Sequence, residues 1–276
     1  LEKMGKADTI AFDKTGTLTY GRLDVSDVIS VDPSVSEENL LFLAACAESR
    51  SEHPLGKAIT AFACKRGLKP VSPDAFRMEA GKGIAATVQN HRLLCGNEKF
   101  LSQNGVLSGP SVRTALEKLQ AQGKAAVLVA KDQTCIGVIA LSDVLRPQAK
   151  EMVSRLSGMH TRTVLLTGDH KKAADYFAGQ AGISEVRAEL LPEEKVTNIE
   201  TLRREGRRVC MIGDGVNDAP ALKSADVSIA MGSMGSDIAI DAADIALMSD
   251  DLSAIPYLKR LSDATVATIR ASITLS

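Results

Sequence analysis

Asp13-Lys14-Thr15-Gly16-Thr17-Leu18-Thr19 follows directly on a short apolar run, residues 9–12. The run shows no alternation of apolar and polar residues, so it reads as a strand buried on both faces, as in a parallel sheet. Its end carries an acid, a lysine and three hydroxyls into a glycine-containing turn. A single Asp at a strand end is commonly a cap or turn former. An Asp presented in this company is placed as a nucleophile, and the rest of the chain should supply what such a group needs.

Working outward, the texture after Asp143 alternates helix and strand: helix 147–156, strand 163–166, helix 171–180, strand 185–188, helix 193–205 and strand 208–212. Repeated units of this kind predict a parallel sheet with helices on both faces. Pro147 is expected at the first helical position, where a missing N–H costs nothing. The strand at 9–12 lacks neighbours of its own and is assigned to this sheet. The doubly wound α/β domain is therefore discontinuous, residues 1–22 and 143–276. Between its halves, residues 23–142 read as an inserted α+β domain with an antiparallel sheet. Helices are expected at 37–49, 55–66 and 112–120, and strands at 25–31, 76–80, 84–88, 92–95, 125–130 and 135–141. Apolar residues at 258, 261, 266, 269 and 273 fit either an amphipathic helix or the beginning of a membrane segment.

A chain of 276 residues with 45% hydrophobic content can fill two cores. Lys plus Arg number 33 against 34 Asp plus Glu, which leaves no basic field for nucleic acid. With aromatics at 3%, base-stacking platforms are excluded too. Cysteines at 46, 64, 95, 135 and 210 never fall at C-x-x-C spacing and read as reduced core residues. No apolar run reaches the roughly 18 residues that a spanning helix requires, so the chain is expected to be soluble and monomeric.

Three further segments close on reactive groups: Thr167-Gly168-Asp169 after strand 163–166, Gly213-Asp214-Gly215-Val216-Asn217-Asp218 after strand 208–212, and Lys195 at the head of helix 193–205. Ligands of open α/β sheets sit at the carboxyl ends of the strands, so these groups and Asp13 should converge on one crevice. Asp13, Asp214 and Asp218 together carry three like charges, and two such charges about 4 Å apart repel by about 4 kcal/mol at an effective dielectric of about 20. A hard divalent cation removes that problem, and Mg²⁺ also bridges phosphoryl oxygens. Asp13, Asp214 and the Thr15 carbonyl are the expected ligands, with Asn217 and Asp218 one step further out. Lys195 would supply positive charge to a phosphoryl group, while the Thr167 hydroxyl and the amides of Gly168 and Lys14 would supply donors.

These pieces together resemble the haloacid dehalogenase superfamily, and the strings DKTGTLT, TGDH and GDGVNDAPAL resemble its P-type ATPase branch. The resemblance implies that Asp13 takes the γ-phosphoryl of ATP as an acyl phosphate, that Asp214 holds Mg²⁺, and that Asp169 and Asp218 belong to the hinge and the metal surroundings. Ser51-Glu52-His53-Pro54-Leu55-Gly56, Gly81-Lys82-Gly83 and Gly96-Asn97 resemble the nucleotide-binding pattern of heavy-metal transporting P-type ATPases. By that resemblance Glu48, His53, Gly81, Gly83, Gly96 and Asn97 line an ATP pocket. Glu48 would accept from the adenine amine, and the glycines would let backbone approach the nucleotide.

The resemblance also implies parts that this chain lacks: membrane helices with the transported metal, and an actuator domain. The chain then corresponds to a headpiece on the cytoplasmic face of a membrane. AELLPEEK and DIALMSDDL are more similar to zinc, cadmium and cobalt exporters than to copper exporters. The competing function is a free-standing phosphatase of the same superfamily, with the insert as a cap. Such an enzyme has a second Asp two positions after the nucleophile, where this chain has Thr15.

Overall fold

The computed structural model describes residues 1–214, 218–232, 241 and 243–275. Its strands in chain order are β1 (Thr9–Asp13), β2 (Thr19–Ser30), β3 (Ala75–Glu79), β4 (Gly83–Val88), β5 (His91–Gly96), β6 (Ala125–Lys131), β7 (Thr134–Leu145), β8 (Arg162–Leu166), β9 (Glu185–Arg187), β10 (Val209–Gly213), β11 (Val227–Met231) and β12 (Ile245–Leu247). The chain divides into two compact units, Leu1–Gly21 with Val144–Ser276, and Arg22–Asp143.

The first unit is a six-stranded parallel sheet in the order β12-β11-β10-β1-β8-β9. Its central strand β1 is buried at every residue because both faces are covered. Ile10 and Phe12 face one core together with Leu156 from helix Ala149–Gly158, Ala178 from helix Lys171–Ala181 and Ile255 from helix Ala254–Leu275. Ala11 faces the other, with Ile199 and Leu202 from helix Pro192–Arg204 and Leu222 from helix Ala219–Ser224. Phe12 is fully buried, and truncating it to Ala would cost about 3–5 kcal/mol.

The second unit is a six-stranded sheet in the order β2-β7-β6-β5-β4-β3, with antiparallel pairing from β7 to β3. Helices Glu37–Glu48 and Pro54–Lys65 cover one face through Leu40, Leu43, Ile59 and Ala63. Helices Glu98–Gln103 and Pro110–Ala121 cover the other through Phe100, Leu101, Val112 and Leu119. Ser36 starts the first of these helices by accepting from the Asn39 N–H, as its position before two glutamates predicts. The parallel α/β sheet with a separate antiparallel sheet is the architecture expected from the sequence.

Some elements differ from expectation. Helix Ala149–Gly158 starts two residues after Pro147, because Arg146 is held in a turn: its N–H donates to Leu18 O and its carbonyl accepts from Ala149 N–H. Pro147 therefore lies outside the helix. Strand β2 begins at Thr19 rather than 25. The helix Glu2–Lys6, in a segment with no apolar periodicity, is made by packing: a Cβ on its Gly5 would fall 2.6 Å from Ser262 O of the C-terminal helix. That C-terminal helix buries Ile255, Lys259 and Ser262 and exposes Tyr257, Leu261 and Ile269. Among the described residues no helix is long and apolar enough to cross a membrane.

Candidate functional site

Asp13 ends β1 in register with Leu166, the last residue of β8, while β10 on its other side ends at Gly213. The chain then turns through Thr15, which is extended, and Gly16 at φ 73°, a conformation that favours glycine. A Cβ on Gly16 would also fall 2.9 Å from Asp214 Oδ2, so the turn and the strand end after β10 touch. Thr19 pins the turn from within: its hydroxyl accepts from the Gly16 N–H at 3.2 Å and donates to Lys14 O at 3.0 Å.

Beneath the turn lies Arg146, a buried cation that belongs to none of the sequence motifs. Its Nε donates to Thr19 O at 3.0 Å, one terminal nitrogen to Gly16 O at 3.3 Å, and the other to Asp250 O at 3.2 Å. The guanidinium also stacks on Tyr20, 4.8 Å from the ring centre. The sequence clue to this residue is slight, an Arg beside a Pro at the start of a helix. Its role depends on long-range partners that no local pattern encodes.

Lys195 does not face solvent. Its Nζ donates to Asp13 Oδ1 at 2.6 Å and to Asp218 Oδ1 at 2.8 Å, with Asp13 and Asp218 both almost fully buried. Asp218 thus shares a cation with Asp13. On the β8 side, Lys14 is ion-paired with Asp169, and the Thr167 hydroxyl accepts from the Asp169 N–H at 3.2 Å. Gly168 packs near Leu190 O in the loop that follows β9. Asn217 lies outside the described residues.

The electrostatics are unbalanced toward negative charge. Burial pushes the Asp13 carboxyl up to about 7, Asp218 adds to the shift, Lys195 pulls it back and Asp214 raises it again. Burial alone would depress the Lys195 ammonium, but Asp13 and Asp218 outweigh it and hold it above its ordinary value. Asp218 Oδ2 is buried with no hydrogen-bond partner among the described residues. A nucleophilic carboxylate at neutral pH needs more positive charge than Lys195 alone supplies, so the donor set fits a hard divalent cation. Among the described residues no three His, Cys, Asp or Glu side chains converge as a protein cage. Mg²⁺ takes one or two carboxylates and completes its shell with other oxygens.

In the second unit, the residues predicted to hold nucleotide line one cavity of about 340 Å³: Glu48, His53, Gly81, Gly83, Gly96 and Asn97. His53 caps helix Pro54–Lys65, its Nδ1 accepting from the Leu55 N–H at 3.3 Å, which leaves Nε2 as the donor. Asn97 caps helix Glu98–Gln103 by accepting from the Phe100 N–H at 2.8 Å. Gly83 and Gly96 are paired across β4 and β5. A Cβ on Gly83 would fall 2.4 Å from Cys95 O, so two bare backbones form this wall. Ser51, absent from the expected set, is buried and hydrogen-bonded to Glu48.

The sequence profile of the haloacid dehalogenase-like hydrolases matches residues 7–226. A probable copper-exporting P-type ATPase V of Mycobacterium tuberculosis is 41% identical over 98% of this chain, which covers 35% of that protein. A copper-exporting P-type ATPase of Staphylococcus aureus is 39% identical over 99% of the chain, covering 33% of it. The chain thus spans about a third of the length of the curated relatives it matches. A zinc-transporting PIB-type ATPase in its E2.Pi state superposes with a TM-score of 0.89 at 37% identity, over 99% of this chain and 44% of that one. The catalytic domain of the CPx-ATPase CopB-B, from a study of its conformational changes upon nucleotide binding, superposes with a TM-score of 0.65 at 33% identity, over 92% of both chains. The chain therefore belongs to the haloacid dehalogenase-like hydrolases and, within them, to the heavy-metal P-type ATPases of the P1B type.

Proposed function

We propose that this chain is the ATP-using, phosphoryl-accepting headpiece of a heavy-metal exporting P-type ATPase. Residues 1–22 with 143–276 serve as phosphorylation domain, and residues 23–142 as nucleotide-binding domain. The observation that carries the reading is Lys195 bridging Asp13 and Asp218 in a buried, negatively charged cluster. An Asp13 oxygen attacks the γ-phosphorus of ATP, the bond to the β-phosphate bridging oxygen breaks, and ADP leaves with that electron pair. Lys195 stands where positive charge is wanted on the phosphoryl oxygens. The Thr167 hydroxyl, already an acceptor for Asp169 N–H, has its own proton to give to one of them. Mg²⁺, bound by Asp13, Asp214 and the Thr15 carbonyl, would neutralise the carboxylates and the phosphoryl oxygens.

Incubation with γ-labelled ATP and Mg²⁺ tests the reading, with Asp13→Asn as control. Acid-stable label removed by hydroxylamine and absent from the control is the expected result. Phosphate release from small esters with no nucleotide preference would instead identify a phosphatase with a large cap. In the full-length protein, the membrane helices and actuator domain would be partners of this headpiece on the cytoplasmic side. For the cargo, AELLPEEK, DIALMSDDL and the zinc-transporting neighbour favour zinc, cadmium or cobalt, whereas the curated relatives' names favour copper. Comparing stimulation of the full-length ATPase by Zn²⁺ and by Cu⁺ decides between them.

A further inference from the structure

Glu48 is 6% exposed, lines the cavity of the second unit, and among the described residues has no cation within ion-pairing distance. It ends helix Glu37–Glu48 and is held by Ser51. The Ser51 hydroxyl accepts from the His53 N–H at 3.3 Å and so has its one proton to give to Glu48. Across from it, helix Pro54–Lys65 presents Gly56, where a Cβ would fall 2.3 Å from Glu48 Oε2, so the seat exists only because that residue has no side chain.

The charged and titratable groups around Glu48 do not compensate it. Lys57 of the facing helix is paired with Glu52 on the surface. Lys82 and Glu79 at the turn before β4 are paired with each other at 3.6 Å. From β5 comes the Cys95 thiol, fully buried and held neutral by that burial. Nearby His53 is exposed and spends Nδ1 on its helix cap. A carboxyl buried without a counter-charge keeps its proton.

Building on the nucleotide-site reading above, we propose that Glu48 reads adenine as a neutral carboxylic acid, accepting from the exocyclic amine through its carbonyl oxygen and donating its own O–H to the ring N1. The adenine edge sets a donor beside an acceptor, which matches a neutral acid in both places. An ionised carboxylate would set an anion against the N1 lone pair and would suit the adjacent N–H donors of guanine. Base preference is therefore coupled to one proton on Glu48. In agreement with this geometry, burial raises the Glu48 carboxyl above its ordinary value despite the opposing hydrogen bond from Ser51.

Calorimetry on the full chain with non-hydrolysable ATP and GTP analogues, from about pH 5.5 to about pH 8.5, tests the proposal. Taking the ratio of the two affinities at each pH cancels the titration of the phosphates, which both ligands share. The adenine preference should fall about tenfold per pH unit once Glu48 ionises. In Glu48→Gln, whose amide keeps one acceptor and one donor in place, it should stay flat. The Glu48 carboxyl carbon resonance in labelled protein should change in step with the preference. A flat preference in the parent with the Glu48 carboxyl resonance at its ionised position throughout, and with analogue binding still lost in Glu48→Ala, overturns the neutral-acid proposal and leaves the nucleotide site standing. Analogue binding unchanged in Glu48→Ala overturns both.

Discussion

Lys195 Nζ lies 2.6 Å from Asp13 Oδ1, a contact between residues 182 apart in sequence. The same ammonium reaches Asp218, so one cation serves two buried carboxyls and neither is fully neutralised. Removing it leaves both carboxyls without a counter-charge. Lys195→Met should abolish acid-stable labelling by γ-labelled ATP and lower unfolding stability by about 3 kcal/mol in urea titration. Label at the parental level in a folded Lys195→Met protein would remove Lys195 from phosphoryl transfer.

Gly16 couples the nucleophile turn to the carboxylate expected on the metal. Gly16→Ala strains a φ of 73° and drives a methyl to within 2.9 Å of Asp214 Oδ2. The cost should be about 1–2 kcal/mol in stability. Moving Asp214 should also raise the Mg²⁺ concentration needed for half-maximal labelling. Loss of stability with unchanged Mg²⁺ dependence would separate the turn from the metal site.

The convergence of Asp13 and Thr167 was legible in the sequence because each stands at the end of a strand, and strand ends of a parallel sheet meet in space by topology alone. Lys195 reaches the Asp13 carboxyl from the first turns of helix Pro192–Arg204, after the strand it follows. Arg146 was not legible, since its three carbonyl acceptors at 16, 19 and 250 become neighbours only through tertiary structure. Ser51 was hidden for a similar reason: within SEHPLG it reads as a turn residue, and its use is to hold a carboxyl from the preceding helix. Strand β12 is only three residues long and gives no readable run, and β11 was not assigned although it is as long as β1 and β10.

Arg146→Met tests the support beneath the turn. The substitution keeps an apolar stem but strips hydrogen bonds from the Gly16 and Thr19 carbonyls, each buried bond to a charged group contributing about 1.5–3 kcal/mol. Stability should fall by about 2–4 kcal/mol, and labelling by ATP should slow with little change in nucleotide affinity, because the cavity proposed for nucleotide is lined by residues of the other unit. A matching loss of nucleotide affinity would show that the defect is global.

His53 is a helix cap and, in the proposed function, a nucleotide contact, and a pair of measurements separates the two. As a helix cap its loss in His53→Ala should cost about 0.5–1 kcal/mol in unfolding free energy. As the group offering Nε2–H to the cavity, its loss should weaken ATP-analogue binding by a larger margin than the cap accounts for. Calorimetric affinity unchanged in a variant with the expected stability loss would leave His53 as a cap only.

Glu48 makes the stability of the ligand-free protein depend on pH with a definite sign. Its folded-state pKa is raised, chiefly by burial and against the Ser51 hydrogen bond, so the native protein holds a proton that the unfolded chain has already released. The stability this group contributes is complete below its ordinary carboxylate value. It is lost as pH rises through the raised folded value and is constant beyond that point. Glu48→Gln cannot titrate and lacks the decline. Urea titrations of parent and variant across that window should show the variant gaining on the parent as pH increases. Parallel profiles would mean that Glu48 is ionised in the native protein at every pH in the window.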